Sequence, residues 1–169
     1  NLGHNISFDE LDRLSRDFAS YLQSQPDLAK GDRICIMLPN LLQYPVVLFG
    51  ILRAGLIVVN INPLYTAREL EVLLKDSGAK AIIILENFAR ILQEVLPKTA
   101  IKHVISTQVG DMLPAPKRWA VNFAVKHVKK MVPSWRIDHA LPLRNALDRG
   151  ARATFKPVAM THEDIAFLQ

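Results

Sequence analysis

The chain has 169 residues, a formal net charge of +5 and one cysteine. Hydrophobic residues make up 50% and charged residues 22%, a globular composition that argues against intrinsic disorder. The single Cys35 excludes an intramolecular disulfide and a cysteine-based zinc site, and its apolar surroundings predict an inert core thiol. No secretory signal pattern opens the chain. Its first residue, Asn1, and the apolar run that stops at Gln169 lead us to expect a piece of a longer protein.

Predicted helices and strands alternate along residues 1–107. Short apolar runs predict buried strands over 33–38, 56–61, 81–85 and 103–107. Helical spacing of apolar residues predicts helices over 8–24, 41–54, 66–75 and 87–96. Capping boxes, Ser7 with Glu10 and Thr66 with Glu69, mark the starts of the first and third helices. Residues 1–107 are therefore predicted to form an α/β unit, a doubly wound, mostly parallel sheet flanked by helices.

The ligands of such sheets usually bind at the carboxyl ends of the strands. In this sequence those ends are residues 39–40, 60–64 and 86–87. Each of them contains an asparagine, and two contain a proline that ends the strand. We therefore expect a binding site, if this part of the protein has one, along that edge of the sheet.

The positive charge is concentrated in one part of the chain. Residues 1–97 contain 9 Lys and Arg against 11 Asp and Glu, whereas residues 98–152 contain 11 basic residues against 3 aspartates. A basic block of this kind can bind nucleic acid, anionic lipid or an acidic neighbouring domain. It can equally be an ordinary solvated surface.

The segment 108–160 holds most of that basic block, and within it residues 119–132 are predicted to form an amphipathic helix. On a helical wheel, Asn122 shares the polar arc with lysines, and alanines, valines and Met131 share the apolar arc. Basic residues bordered by aromatic ones are typical of a helix in a membrane interface. The predicted membrane-contact residues are Trp119, Lys126, Lys129, Lys130, Trp135 and Arg136. The alternative is a surface helix that packs on its own sheet. A short helix over 139–149 and a strand over 165–168 are predicted to follow.

Motifs that would reveal a catalytic centre are absent from the sequence. It has no dinucleotide-binding glycine pattern, no P-loop and no nucleophile elbow. Its five histidines show no metal-ligand spacing. We therefore name no catalytic residue and no metal ligand.

Four blocks resemble, in order and spacing, the adenylate-forming enzymes and in particular bacterial long-chain fatty-acid–CoA ligases. They are residues 31–40 (GDRICIMLPN), 44–55 (YPVVLFGILRAG), 58–70 (VVNINPLYTAREL) and 76–81 (DSGAKA). The basic segment that ends at Pro133 and the closing residues 163–169 are similar to the same enzymes. In that family, ATP and a fatty acid form an acyl-adenylate and pyrophosphate with the help of Mg²⁺. CoA then displaces AMP to give acyl-CoA.

The resemblance implies the fold of the family's N-terminal domain, whose phosphate-binding loop follows the strand that residues 161–169 begin. No residue of this chain matches the family's catalytic or adenylate-binding motifs. The chain alone is therefore expected to be inactive and to bind ATP, Mg²⁺ and CoA weakly. By resemblance, Asn62, Pro63 and Leu64 are the positions that approach CoA, with a simple Asn-Pro turn as the alternative.

The resemblance also implies partners and a location. Fatty acid, ATP and CoA are the expected small-molecule partners. Together with the basic helix, the resemblance adds an anionic membrane surface. A sheet without its next strand exposes an edge and an apolar face, which adds a second copy of the chain. No nucleic acid is expected. The expected location is the cytoplasm, peripherally at the inner face of the cell membrane.

Two other classes of function stay open from the residues. A non-catalytic nucleotide- or acyl-binding α/β module would bind ATP, AMP or CoA on its own. A basic nucleic-acid-binding domain would be retained on heparin with a steep salt dependence. The absence of a nucleic-acid motif from the sequence argues against the second class.

Overall fold

A computed structural model of the chain describes residues 3–168. The helices are α1 (Phe8–Gln23), α2 (Gln43–Arg53), α3 (Ala67–Ser77), α4 (Ala89–Val95), α5 (Lys117–Phe123) and α6 (Leu143–Gly150). The strands are β1 (Arg33–Met37), β2 (Ile57–Asn60), β3 (Ala81–Leu85), β4 (His103–Thr107), β5 (Leu141–Pro142) and β6 (Phe167–Leu168). Short 3-10 turns flank α4, and α5 continues into a π-helical turn (Ala124–Val128).

The sequence signals at the helix ends correspond to real caps. Ser7 Oγ accepts a hydrogen bond from the backbone amide of Glu10 at 3.1 Å, which satisfies one of the free amides at the start of α1. Thr66 and Glu69 form the complete capping box at the start of α3. Gly78 ends α3 with φ of +58°, a left-handed conformation that glycine adopts without a steric penalty.

The six strands form one parallel sheet in the order β5-β4-β3-β1-β2-β6, which confirms the predicted doubly wound α/β fold. Ile34 at the centre of the sheet pairs with Val58 on one side and with Ala81 on the other. The chain leaves β1 to one side to form β2 and then crosses to the other side to form β3. The strand order therefore reverses between β1 and β3, and a crevice for a ligand usually opens at such a point.

Alternate side chains of the strands belong to two separate cores, one on each face of the sheet. On the first face, strand residues such as Ile36 and Ile83 pack against α1, α2 and α6. Phe18 and Leu22 of α1 are fully buried there. On the second face, strand residues such as Ile84 pack against α3 and α4. Because both faces are covered by helices, the central strands carry near-continuous apolar runs, as the sequence indicates.

Cys35 lies in the second core and is completely buried. Burial in apolar surroundings raises the pKa of its thiol to about 12, because the thiolate would lose its hydration. The structure therefore agrees with the prediction of an inert core thiol.

The last strand follows a long segment without regular secondary structure. In β6, Phe167 and Leu168 pair with Val58 and Val59 of β2, and the amide of Val58 donates to the carbonyl of Ala166 at 2.9 Å. Lys30 Nζ binds the Asp164 carboxylate at 3.0 Å and so ties this segment to the turn before β1. The predicted strand over 165–168 is thus present in shorter form.

Two elements of the basic segment differ from the prediction. The first is β5, which has two residues, one of them proline, and therefore carries no alternation that sequence reasoning can detect. The helix predicted over 139–149 consequently starts later, as α6 at Leu143. The second is the amphipathic helix predicted over 119–132, which starts at Lys117 and widens into the π-helical turn that ends at Val128. No helix over residues 3–168 is long and apolar enough to cross a membrane.

Candidate functional site at the carboxyl edge of the sheet

Because the sheet is parallel throughout, the carboxyl ends of its strands lie along one edge. The predicted segments 39–40, 60–64 and 86–87 follow β1, β2 and β3 at that edge. The end of β4 joins them, and residues 107–111 there form the most extensive polar network of the edge. Sequence reasoning missed this part because its members are scattered over the end of β4, the loop after it and three helices, α2, α5 and α6.

Gln43 at the start of α2 is the central donor of this network. Its Nε2 donates to the carbonyl of Gln108 at 2.6 Å and to Thr107 Oγ1 at 3.2 Å. Gln43 is 1% exposed, and a buried amide needs hydrogen-bond partners. In the sequence, the one sign of its role is that a glutamine stands in an otherwise apolar helix. These hydrogen bonds hold the loop after β4 against the helix that follows β1.

Asp111 receives the other hydrogen bonds of the network and is itself buried. Its Oδ2 accepts from Thr107 Oγ1 at 2.9 Å and from the amide of Gln108 at 2.8 Å. Its Oδ1 accepts from Asn122 Nδ2 at 3.2 Å, and its carbonyl accepts from Arg144 Nη1 at 3.1 Å. The carboxylate therefore joins β4 to α5, the backbone carbonyl adds α6, and the carboxylate's partners offset the cost of its burial.

The loop after β2 carries the positions that the resemblance relates to CoA. Asn62 Oδ1 accepts from the amide of Leu64 at 3.0 Å, and the amide of Tyr65 donates to the carbonyl of Asn62 at 3.1 Å. The Asn-Pro turn is thus present, with Pro63 half-buried and the Leu64 side chain 82% exposed. Upstream, Tyr44 Oη donates to Asn60 Oδ1 at 2.9 Å and fixes the end of β2 to α2.

A cavity of about 350 Å³ opens at the ends of β4 and β5. Its charged lining residues are Arg118 and Arg144 together with Glu86, Asp111 and Asp148. Charges of both signs line it, so it favours neither an anion nor a cation. Within residues 3–168, no three metal-ligating side chains come together in a group that could hold a metal ion.

The predicted membrane-contact residues fall into two groups. Trp119 is 63% exposed, with the Arg118 guanidinium 5.5 Å from its ring centre, and Lys126, Lys129 and Lys130 are also exposed. All four belong to α5, the π-helical turn and the two residues that follow it.

Trp135 and Arg136 lie in a different setting. The indole of Trp135 is half-buried against the second core. The Arg136 guanidinium is exposed and binds Asp138 at 2.8 Å. The structure therefore brings Trp119 and the three lysines into one exposed segment, whereas Trp135 contributes to the packing of the core.

The helical wheel was wrong about Asn122, which faces the body of the protein instead of the solvent. Its Oδ1 accepts from the amide of Gly110 at 2.7 Å, in addition to its hydrogen bond with Asp111. Val128 and Met131, which the wheel placed on the apolar arc, are 70% and 54% exposed. The amide of Lys129 donates to the carbonyl of Ala124, five residues back, and this wider turn changes the angular spacing that the wheel assumes.

All 169 residues match a protein-family model described as AMP-binding enzyme. The chain is 53% identical over its whole length to the long-chain-fatty-acid–CoA ligase of Escherichia coli O6:H1 and 52% identical to that of Haemophilus influenzae. It spans about 30% of the length of these relatives.

Solved structures share the fold. A long-chain-fatty-acid–CoA ligase from Archaeoglobus fulgidus superposes with a TM-score of 0.71 at 23% identity, over 96% of this chain and 27% of that one. A benzoate CoA ligase from Burkholderia xenovorans also gives 0.71, at 22% identity and the same coverage of both chains. The match of the family model over every residue, on a sheet of the same fold, shows that the chain belongs to the AMP-binding enzyme family.

Proposed function

We propose that the chain is part of a long-chain fatty-acid–CoA ligase, which joins a fatty acid to CoA through an acyl-adenylate at the expense of ATP. The observation that carries this proposal is the 53% identity over all 169 residues to a ligase of that name. The substrates are then a fatty acid, ATP and CoA, and the proposed location is the cytoplasm, at the inner face of the cell membrane.

The described residues provide a framework for this reaction, and we assign no chemical step to them. When bound, Mg²⁺ would neutralise charge on the phosphates of ATP. Within residues 3–168 no three metal-ligating side chains come together, and we assign the ion to none of them. What they do supply is a hydrogen-bonded sheet edge, in which Gln43 donates to Thr107 and Thr107 donates to Asp111.

Within this proposal, the turn Asn62-Pro63-Leu64 contacts CoA. Three features support the assignment: the turn lies at a strand's carboxyl end, its backbone is fixed by the Asn62 side chain, and Leu64 projects into solvent. An exposed leucine on a fixed turn offers an apolar contact to a ligand without first having to be ordered.

The ligase proposal is tested with a long-chain fatty acid, ATP, Mg²⁺ and CoA. We expect the longer protein that contains this chain to release AMP and acyl-CoA in equal amounts, and the 169-residue chain alone to release neither. Failure of the longer protein to form acyl-CoA would refute the proposal. Tight binding of AMP or CoA by the chain, with no turnover in the longer protein, would indicate the non-catalytic module instead.

The CoA contact is tested by Asn62→Ala and Leu64→Ala in the longer protein. We expect the KM for CoA to rise several-fold while kcat changes little, as is usual when a uniform binding contact is lost. Val72→Ala is the matched control, because Val72 is also apolar and exposed but lies on α3. An unchanged KM for CoA in both test variants would rule this contact out.

A further inference from the structure

We propose that α5 and the π-helical turn form a docking surface for an anionic phospholipid bilayer. The residues that define this α5 surface are Trp119, Phe123, Lys126, Val128, Lys129 and Lys130. The inference extends the proposed function, since long-chain fatty acids partition into bilayers. The observations that support it are the exposed residues and the charges of the α5 surface.

The composition of the α5 surface is unusual for a face in contact with water. Trp119, Phe123 and Val128 are each more than 60% exposed, although each could have been buried as an ordinary core residue. The ring centres of Phe123 and His127 lie only 4.9 Å apart, and Trp119 precedes Phe123 by about one turn of α5. Large exposed apolar patches mark sites of interaction.

The charge of the segment selects the kind of partner. Between Asp111 and Asp138 the sequence has six lysines and arginines and no acidic residue. Within the α5 surface, Lys126, Lys129 and Lys130 are exposed, and so are Phe123 and Val128. Cations next to inserted aromatic and aliphatic groups match a bilayer interface, where phosphate groups lie directly above the acyl chains. A nucleic acid would use the cations and leave Val128 in water.

Two side-chain anchors keep this face turned outward. At one end, Asn122 binds the amide of Gly110 and the carboxylate of Asp111. At the other end, Asn87 Nδ2 donates to the carbonyl of Met131 at 3.0 Å. Val121, just before the first anchor, and Val125, between the two, are half-buried. A rotation of the segment that buried Phe123 would break both anchors.

The test is co-sedimentation of the longer protein with vesicles of phosphatidylglycerol and phosphatidylethanolamine, compared with phosphatidylcholine vesicles. We expect binding to the anionic vesicles alone. The triple variant Lys126→Glu, Lys129→Glu and Lys130→Glu should bind about 100-fold more weakly, because each basic residue near the surface strengthens binding by roughly fivefold. Phe123→Ser, which keeps every charge, should also weaken binding.

A matched control separates local contact from net charge. Arg149→Glu, Arg152→Glu and Lys156→Glu change the net charge by the same amount at exposed positions outside the α5 surface. We expect this control to bind anionic vesicles nearly as well as the unmodified protein. If the two triple variants lose binding equally, the attraction is one of overall charge, and the proposed surface is wrong.

Tryptophan fluorescence reports insertion directly. Because the longer protein can hold further tryptophans, its emission is compared with that of Trp119→Phe, which removes the signal of Trp119. The emission of Trp119 should shift to the blue on addition of anionic vesicles, and acrylamide should quench it less. Unchanged quenching, or retention on DNA with steep salt dependence and no vesicle binding, would overturn the proposal. Vesicle binding without acyl-CoA formation would leave docking intact and contradict only the ligase.

Discussion

Asn122 on α5 and Gly110 in the loop after β4 meet through a hydrogen bond of 2.7 Å, from the glycine amide to the carboxamide oxygen. A side chain at position 110 would collide with this partner, because a Cβ there would lie 2.7 Å from Asn122 Oδ1 and 3.0 Å from the Arg118 carbonyl oxygen. The pair therefore holds the surface helix at a distance that only glycine permits.

Gly110→Ala should destabilise the protein by about 1–3 kcal/mol, which is typical of overpacking at a close contact. Asn122→Ala should cost a similar amount, about 1–3 kcal/mol, since it leaves the Gly110 amide and buried Asp111 with fewer partners. The free energy of unfolding in urea measures both effects.

The double variant of these two positions provides the control. Truncation of Asn122 removes the closer of the two collisions. The double variant should therefore be destabilised by less than the sum of the two single variants. Strict additivity would mean that the two residues do not interact.

Asp27 links the turn before β1 to the start of β4. Because of this contact, the free energy of unfolding should fall as the solution is made acidic. His103 Nε2 lies 2.8 Å from Asp27 Oδ1, and this hydrogen bond is the main reason that the pKa of Asp27 is lowered. A lowered pKa in the folded state means that the stabilisation is present above the ordinary aspartate pKa and is lost as the pH falls through the lowered value.

Asp27→Asn should therefore be less stable than the unmodified protein near neutral pH, and the difference should shrink in the acidic range below the ordinary aspartate pKa. Urea unfolding over that pH range measures it. Asp138→Asn is the control, because its ion pair with Arg136 is largely exposed to solvent and contributes little. A pH-independent difference for Asp27→Asn would contradict the linkage.

The hydroxyl group of Thr66 should stabilise the protein by capping the start of α3. Its Oγ1 accepts from the amide of Glu69, and Glu69 Oε2 accepts from the amide of Thr66 at 2.8 Å. Thr66→Ala removes half of this capping box and should destabilise the protein by about 1 kcal/mol. Thr66→Ser keeps the hydroxyl and should cost much less in the same unfolding measurement, whereas equal losses would show that the methyl group matters instead.

Cys35 should be unreactive until the protein unfolds. Its thiol is completely buried and its pKa is raised to about 12, so almost no thiolate is present at neutral pH. A disulfide reagent such as DTNB should react with the cysteine in urea and not under native conditions. Rapid reaction of the native protein would show that β1 opens locally.

The sequence predicted best where local chemistry and the fold agree. The strands β1 to β4 carry apolar runs because helices cover both faces of the sheet, and Ser7 and Thr66 cap the helices that they were predicted to cap. Features that depend on contacts between residues distant in sequence could not be predicted in this way. The direction of Asn122 depends on an amide in another loop, and the role of Gln43 depends on β4, which is distant in sequence.

The pairing of β6 with β2 also has a consequence for the order in which the protein forms. Residues 58 and 59 emerge from the ribosome long before their partners at 167 and 168. During that interval the outer edge of β2 presents unpaired amides and carbonyls, which are open to mispairing with another chain. The strands β1 to β4 can assemble first, and the β2 edge must then wait for β6. A nascent chain stalled before Phe167 would thus be the species that most needs protection from aggregation.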